Sequence, residues 1–233
     1  MRGLLNYESP LMQSILKLGD IVILNCLYVL FSLPIFTIGA AQAGLYTGFR
    51  VVLNPEDDSS CIAAFFRGFK NGFSVITPVW LILTIAVCFA AHSCLMSYVI
   101  EKSGGFSITI IAIAGLIAVI ILQTMIPLFH SRFSCSRRQL LKNTLYFMFA
   151  HPLHSFLIAV LIWMPVILFL LDAVLFARLT ILILTAWYSV AALFTLKLIK
   201  KPFQVLEEHF QKTYDEDGNP IPPAEETEEA NQV

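Results

Sequence analysis

No aspartate or glutamate occurs between Lys102 and Leu171, so that stretch lacks both a carboxylate metal ligand and a carboxylate general base. Charge of either sign is thin elsewhere too: 13% of residues are charged, 58% are hydrophobic, and the mean hydropathy is +0.77. A soluble globule carries about a quarter charged residues, so lipid must be the main solvent of this chain. The five cysteines are odd in number and show no CxxC spacing. Cys26, Cys88 and Cys94 fall in apolar runs and read as small buried hydrophobes. No nucleophile elbow, HExxH, P-loop or glycine-rich dinucleotide fingerprint is present. These absences predict a protein that is not an enzyme, has no catalytic, metal or cofactor site, and does not bind nucleic acid.

Long apolar runs take the place of motifs. Residues 73–99, 106–129, 153–171 and 179–196 are nearly free of charge, and each approaches the roughly 20 residues that cross a hydrocarbon core. A fifth run, 21–49, is longer. The expected fold class is all-α, a polytopic helical bundle with five or six membrane segments and two cytoplasmic amphipathic elbows. Residues 1–212 form its membrane domain, and 213–233 form an acidic, disordered cytoplasmic tail. Met1 to Gly19 is too polar for a cleavable signal, so the first run is expected to be retained. Leu33-Pro34 marks a break in that run, because proline removes a donor and disfavours helix in the residue before it. The run is then either one tilted span, giving five passes, or a broken hairpin, giving six.

Positive charge weighs these two. Eleven of the fifteen Lys and Arg residues follow the first run, lie between the third and fourth, or follow the last. Five passes leave four cations outside, whereas a hairpin leaves only Lys102 and Arg178; the positive-inside rule prefers the hairpin. Both place the C-terminus in the cytoplasm, and the expected location is the cytoplasmic membrane. Two basic stretches resemble each other: Ala63 to Phe73, with Phe65, Phe69 and Phe73 on one stripe, and Arg137 to Phe147. Both read as interfacial elbows, aromatics in the lipid boundary and cations toward headgroups. They raise the reading that residues 12–100 and 106–171 are related halves. Their cations Arg67, Lys70, Arg137, Arg138 and Lys142 are the candidate cytoplasmic partner surface.

Inside the runs the polar residues are neutral. No acid lies mid-segment, which argues against a proton-coupled pump. Asn25, Gln42, His92 and Gln123 are a candidate polar path, set against the commoner reading that such groups bond across helices. His130, His151 and His154, with Cys135, gather metal-capable side chains, but in no zinc spacing.

The strings Gly19 to Asn25, Leu33-Pro34-Ile35-Phe36-Thr37-Ile38-Gly39-Ala40-Ala41, Leu45-Tyr46 and Phe66 to Phe73, with Pro127 to Phe133 and Leu141 to Leu145, resemble the YesL family of bacterial membrane proteins, also called DUF624. The resemblance covers most of residues 12–200 and supplies no catalytic residue. It implies no established activity and an association with carbohydrate-uptake systems. The expected function is a non-enzymatic accessory or assembly component linked to carbohydrate uptake, its partners being the lipid bilayer and a membrane protein such as a carbohydrate transporter. The alternative is a small permease for a neutral solute such as a sugar.

Overall fold

The computed structural model describes residues 10–54, 59–100, 106–133 and 137–204, with the backbone alone for 10–16, 97–100 and 106–109. The predicted tail, 213–233, lies outside the described residues, as does Cys135. The chain divides into two units, 1–196 and 197–233; of the second, 197–204 are described and are helical apart from a turn at Ile199. The elements are α1 (Pro10–Phe31), α2 (Ile38–Leu53), α3 (Cys61–Ile100), α4 (Phe106–Arg132), α5 (Arg137–Ala150), α6 (Pro152–Leu171), α7 (Ala173–Leu182) and α8 (Tyr188–Leu198). A 3-10 turn, Ile35–Thr37, precedes α2, and a π turn, Ile183–Trp187, joins α7 to α8.

Among the described residues, four helices are long and apolar enough to cross a bilayer: Cys61–Met96, Ile110–Arg132, Pro152–Leu171 and Ala173–Leu198. Their outer faces carry bare hydrocarbon, as a lipid-solvated surface should; Phe89 is 74% exposed and Ile181 77%. Asp172 caps α7, its Oδ1 accepting from the Val174 and Leu175 amides. Arg178 consequently lies inside that last helix rather than ahead of it.

The run 21–49 is a hairpin. Helix α1 stops at Phe31, before Leu33-Pro34, and the Thr37 hydroxyl lies 2.6 Å from the Phe31 carbonyl and 2.7 Å from that of Pro34. That hydroxyl and the Thr37 amide, which donates to Pro34 O, tie the turn together. The return helix α2 is buried from Gly39 to Phe49 except at Thr47. Small residues let it lie directly on α3. A Cβ on Gly44 would come within 2.8 Å of the Phe65 carbonyl, one on Gly39 within 2.6 Å of the Trp80 ring, and one on Gly68 would strike Thr47. These contacts set α2 antiparallel to α3. Helix α3, at 40 residues, is about 60 Å long, and the hairpin turns beside Trp80, at its middle.

The first elbow is not a separate interfacial helix. Residues 63–73 are the first turns of α3, and the predicted stripe divides: Phe65 is fully buried, whereas Phe73 is exposed. The buried face runs through Ala64, Phe65, Gly68, Gly72 and Ile76. Its glycines admit α2, and the Phe31 ring packs edge-on to Phe66 and Phe69 at 5.4 and 5.0 Å. The second basic stretch is its own helix, α5, with Leu140, Thr144 and Phe147 buried and Phe147 against Phe129 at 5.2 Å. Each half holds three helices, α1 to α3 and α4 to α6, but the basic stretch opens the third helix of the first half and forms the second helix of the other.

Prolines inside the long helices free carbonyls, and side chains elsewhere meet two of them. Pro78 cannot donate to Ser74 O, and Arg137 donates there instead at 2.7 Å. Pro165 releases Leu161 O, which accepts from Trp187 Nε1 at 3.3 Å. Both bonds join distant segments where the helix ladder is broken, and a carbonyl such as Leu161 O, inside a membrane-length helix, has no water to fall back on.

Candidate functional site

Where the hairpin turns, the helices leave a cavity of about 380 Å³. The end of α1, the start of α2, α3, α4, α6 and the π turn wall it. Four aromatic side chains form much of the lining: Tyr28, Trp80, Trp163 and Tyr188. Gln42, Thr84, Gln123 and Thr124 supply polar edges, and among the described residues no Lys, Arg, Asp, Glu or His lines it. The arrangement follows from the sequence locally. Gly39 gives the Trp80 indole its seat, and the break at Leu33-Pro34 ends α1 and α2 in mid-bundle.

The polar groups are held by committed hydroxyls. Thr84 Oγ1 donates to Trp80 O at 2.8 Å, so its oxygen is left to accept from Gln123 Nε2, also at 2.8 Å. In the same way Thr124 donates to Ile120 O and accepts from Trp163 Nε1 at 3.0 Å. Gln42 Nε2 donates to the Tyr46 hydroxyl at 3.4 Å. Gln123 is only 3% exposed, and its Oε1 has no partner.

Of the predicted polar path, Gln42 and Gln123 meet at this cavity; Asn25 and His92 do not. His92 is exposed about two turns beyond Thr84 on α3, out of reach because the hairpin ends near Trp80. Asn25 is fully buried but occupied. Its Nδ2 donates to Leu184 O at 2.6 Å and its Oδ1 accepts from Ser189 N at 3.0 Å. The amide is inserted between two backbone groups five residues apart, and this is what props the π turn open. Leu184, displaced in that turn, reaches the cavity wall. The lining aromatics were missed because each sits in an apolar run and reads as core. The available signal was their closeness to proline: Trp80 follows Pro78 by two residues and Trp163 precedes Pro165 by two.

The other predicted groups lie elsewhere. The rings of His151 and His154 are 5.8 Å apart, and among the described residues no three metal-capable side chains cluster. Arg67, Lys70, Arg137, Arg138 and Lys142 are all exposed. The Arg137–Ser74 bond brings the start of α5 beside the first turns of α3, and Arg50 donates to Ser131 O at 2.5 Å, tying α2 to the end of α4. Cations from α2, α3 and α5 therefore collect at one end of the unit.

Residues 21–93 match a family model described as protein of unknown function, DUF624. The matched stretch is the hairpin with α3 as far as Ser93. No curated protein and no solved structure matches the chain.

Proposed function

We propose that this chain is a non-enzymatic, multi-pass protein of the bacterial cytoplasmic membrane that binds a small neutral solute inside its helix bundle and passes it across, in the service of carbohydrate uptake. The observation that carries the reading is the uncharged cavity, with four aromatics and the amide and hydroxyl edges of Gln42, Thr84, Gln123 and Thr124, at the end of a broken helix pair. Solute sites in transporters lie where discontinuous helices end inside the bilayer, and irregular backbone at that depth is tolerated where it lines a cavity or is buried in protein. Wild-type proteoliposomes are expected to equilibrate labelled D-glucose or maltose faster than protein-free liposomes, and Val87→Trp, which fills the cavity, to remove the difference. Flux no faster than in empty liposomes for either sugar would refute transport of those sugars.

A second reading has its own support: the exposed cations Arg67, Lys70, Arg138 and Lys142 form a surface for a membrane-protein partner, so the chain would act as an accessory component of an uptake system. Copurification from native membranes separates the two, because a charge-reversed quadruple variant loses the partner under this reading and leaves flux unchanged under the first.

The membrane topology we propose is four spans with a re-entrant hairpin, α1 and α2 entering and leaving on the basic side. That side is the cytoplasm by the positive-inside rule. A reporter fused ahead of Tyr7 and one fused at the C-terminus should both report cytoplasm; an exterior signal at the N-terminus would mean that α1 crosses completely.

A further inference from the structure

We infer that Gln123 is the specificity-determining residue of the cavity, presenting Oε1 as a fixed acceptor for a hydroxyl of the solute, so that the site selects a polyhydroxylated ring such as a neutral sugar over an apolar molecule of the same size. The inference rests on the solute-binding reading and deepens it. An amide offers a donor end and an acceptor end, and which one faces a ligand depends on the partner that holds it. Here the partner is Thr84, whose proton is taken by Trp80 O. The donor end of Gln123 is therefore committed to Thr84 Oγ1, and the acceptor end remains buried and without a partner, on a residue that lines the cavity.

A buried polar group without a partner is unfavourable in any protein interior and more so where lipid replaces water. A ligand hydroxyl completes the bond, and an analogue lacking that hydroxyl leaves the acceptor bare, which is how a buried polar site discriminates strongly. Trp80, Trp163 and Tyr28 place aromatic carbon in the lining, the kind of surface that packs on the C–H groups of a sugar ring. With no ionisable carboxylate, amine or imidazole in the lining, nothing compensates a charged ligand, so sugar acids and amino sugars are disfavoured.

The test uses full-length protein in lipid nanodiscs, with D-glucose, D-galactose and maltose and their monodeoxy analogues as probes. Binding is read from tryptophan fluorescence, since Trp80 and Trp163 line the site. Wild type should bind at least one parent sugar saturably and lose about tenfold in affinity for one deoxy analogue. Gln123→Leu should bind that parent about tenfold more weakly, show no further loss with the same analogue, and keep its ligand-free thermal midpoint. Thr84→Val, which frees the amide to rotate, should weaken binding by an intermediate factor. Parent affinity in Gln123→Leu within twofold of wild type, or equal deoxy penalties in both proteins, overturns the role of Gln123 while leaving solute binding intact. Absence of saturable binding by wild type to all three sugars overturns the wider reading as well.

Discussion

Gly44→Leu is expected to eliminate properly folded protein, seen as loss of the monodisperse peak in detergent and of a cooperative thermal transition. The cause is backbone against backbone. A Cβ at position 44 would lie 2.8 Å from the Phe65 carbonyl oxygen and 3.2 Å from the Phe65 ring. A side chain can turn away, but a carbonyl in a helix cannot. Relief requires α2 to move off α3, which would unseat the neighbouring contacts of Gly39, Gly48, Gly68 and Gly72 along the same seam. Overpacking a well-filled core costs about 1–3 kcal/mol where side chains can adjust; here they cannot, and the cost should exceed that range. Gly115→Leu is the control, because a Cβ there meets nothing within 4 Å and the residue is exposed on α4. On a lipid-facing helix surface it should change stability by no more than about 0.5 kcal/mol. Equal tolerance of both substitutions would refute the close approach of α2 to α3.

That seam shows where sequence reasoning succeeded and where it stopped. The cluster Gly39-Ala40-Ala41-Gln42-Ala43-Gly44 signals close helix contact by residue size alone, and the break at Leu33-Pro34 is equally plain. Neither feature names the partner. The partner is the face of α3 carrying Gly68 and Gly72, which the sequence presents as part of a basic, phenylalanine-rich stretch. Periodicity sorts Phe65, Phe69 and Phe73 onto one stripe but cannot tell a lipid neighbour from a protein one, since both are apolar. In water a buried phenylalanine and a solvated one differ in their surroundings' polarity; in a bilayer that contrast vanishes, and small residues carry the information instead.

The candidate site divided along the same line. Gln42 and Gln123 were legible because an amide in an apolar run must find a partner or line a space. His92 was equally polar, but its position depends on how deep the hairpin reaches, which only the packing of Gly39 on Trp80 fixes. Of the four lining aromatics only Trp80 and Trp163 carried a signal, a proline two residues away, because apolar context alone does not distinguish a ring that fills a core from one that borders a cavity.

Asn25→Leu should lower stability by about 1–3 kcal/mol and weaken solute binding more than the stability loss alone explains. The Asn25 amide bridges Leu184 O and Ser189 N, each bond 3.0 Å or shorter. Leucine fills similar space and satisfies neither backbone group. Interhelical hydrogen bonds in membranes average about 0.6 kcal/mol because the unfolded state finds substitutes. Two orphaned backbone groups in a π turn have fewer substitutes, which places this pair toward the upper end of the range. The helix has one escape: closing the turn to ordinary α geometry, with Ser189 N–H bonding Thr185 O. That would restore the bonds but rotate Leu184 off the cavity wall and shift Tyr188 against Tyr28, whose rings now sit 4.7 Å apart. Stability and binding therefore separate. If the turn stays open, the thermal midpoint falls by roughly 2–4 °C for each kcal/mol lost; if it closes, the midpoint recovers while tryptophan-detected sugar binding is lost. Asn25→Asp can accept from Ser189 but cannot donate to Leu184 O, and it buries a carboxylate in lipid, so it should be the more damaging of the two substitutions. Unchanged midpoint together with unchanged binding in Asn25→Leu would show that the amide does not hold the π turn open.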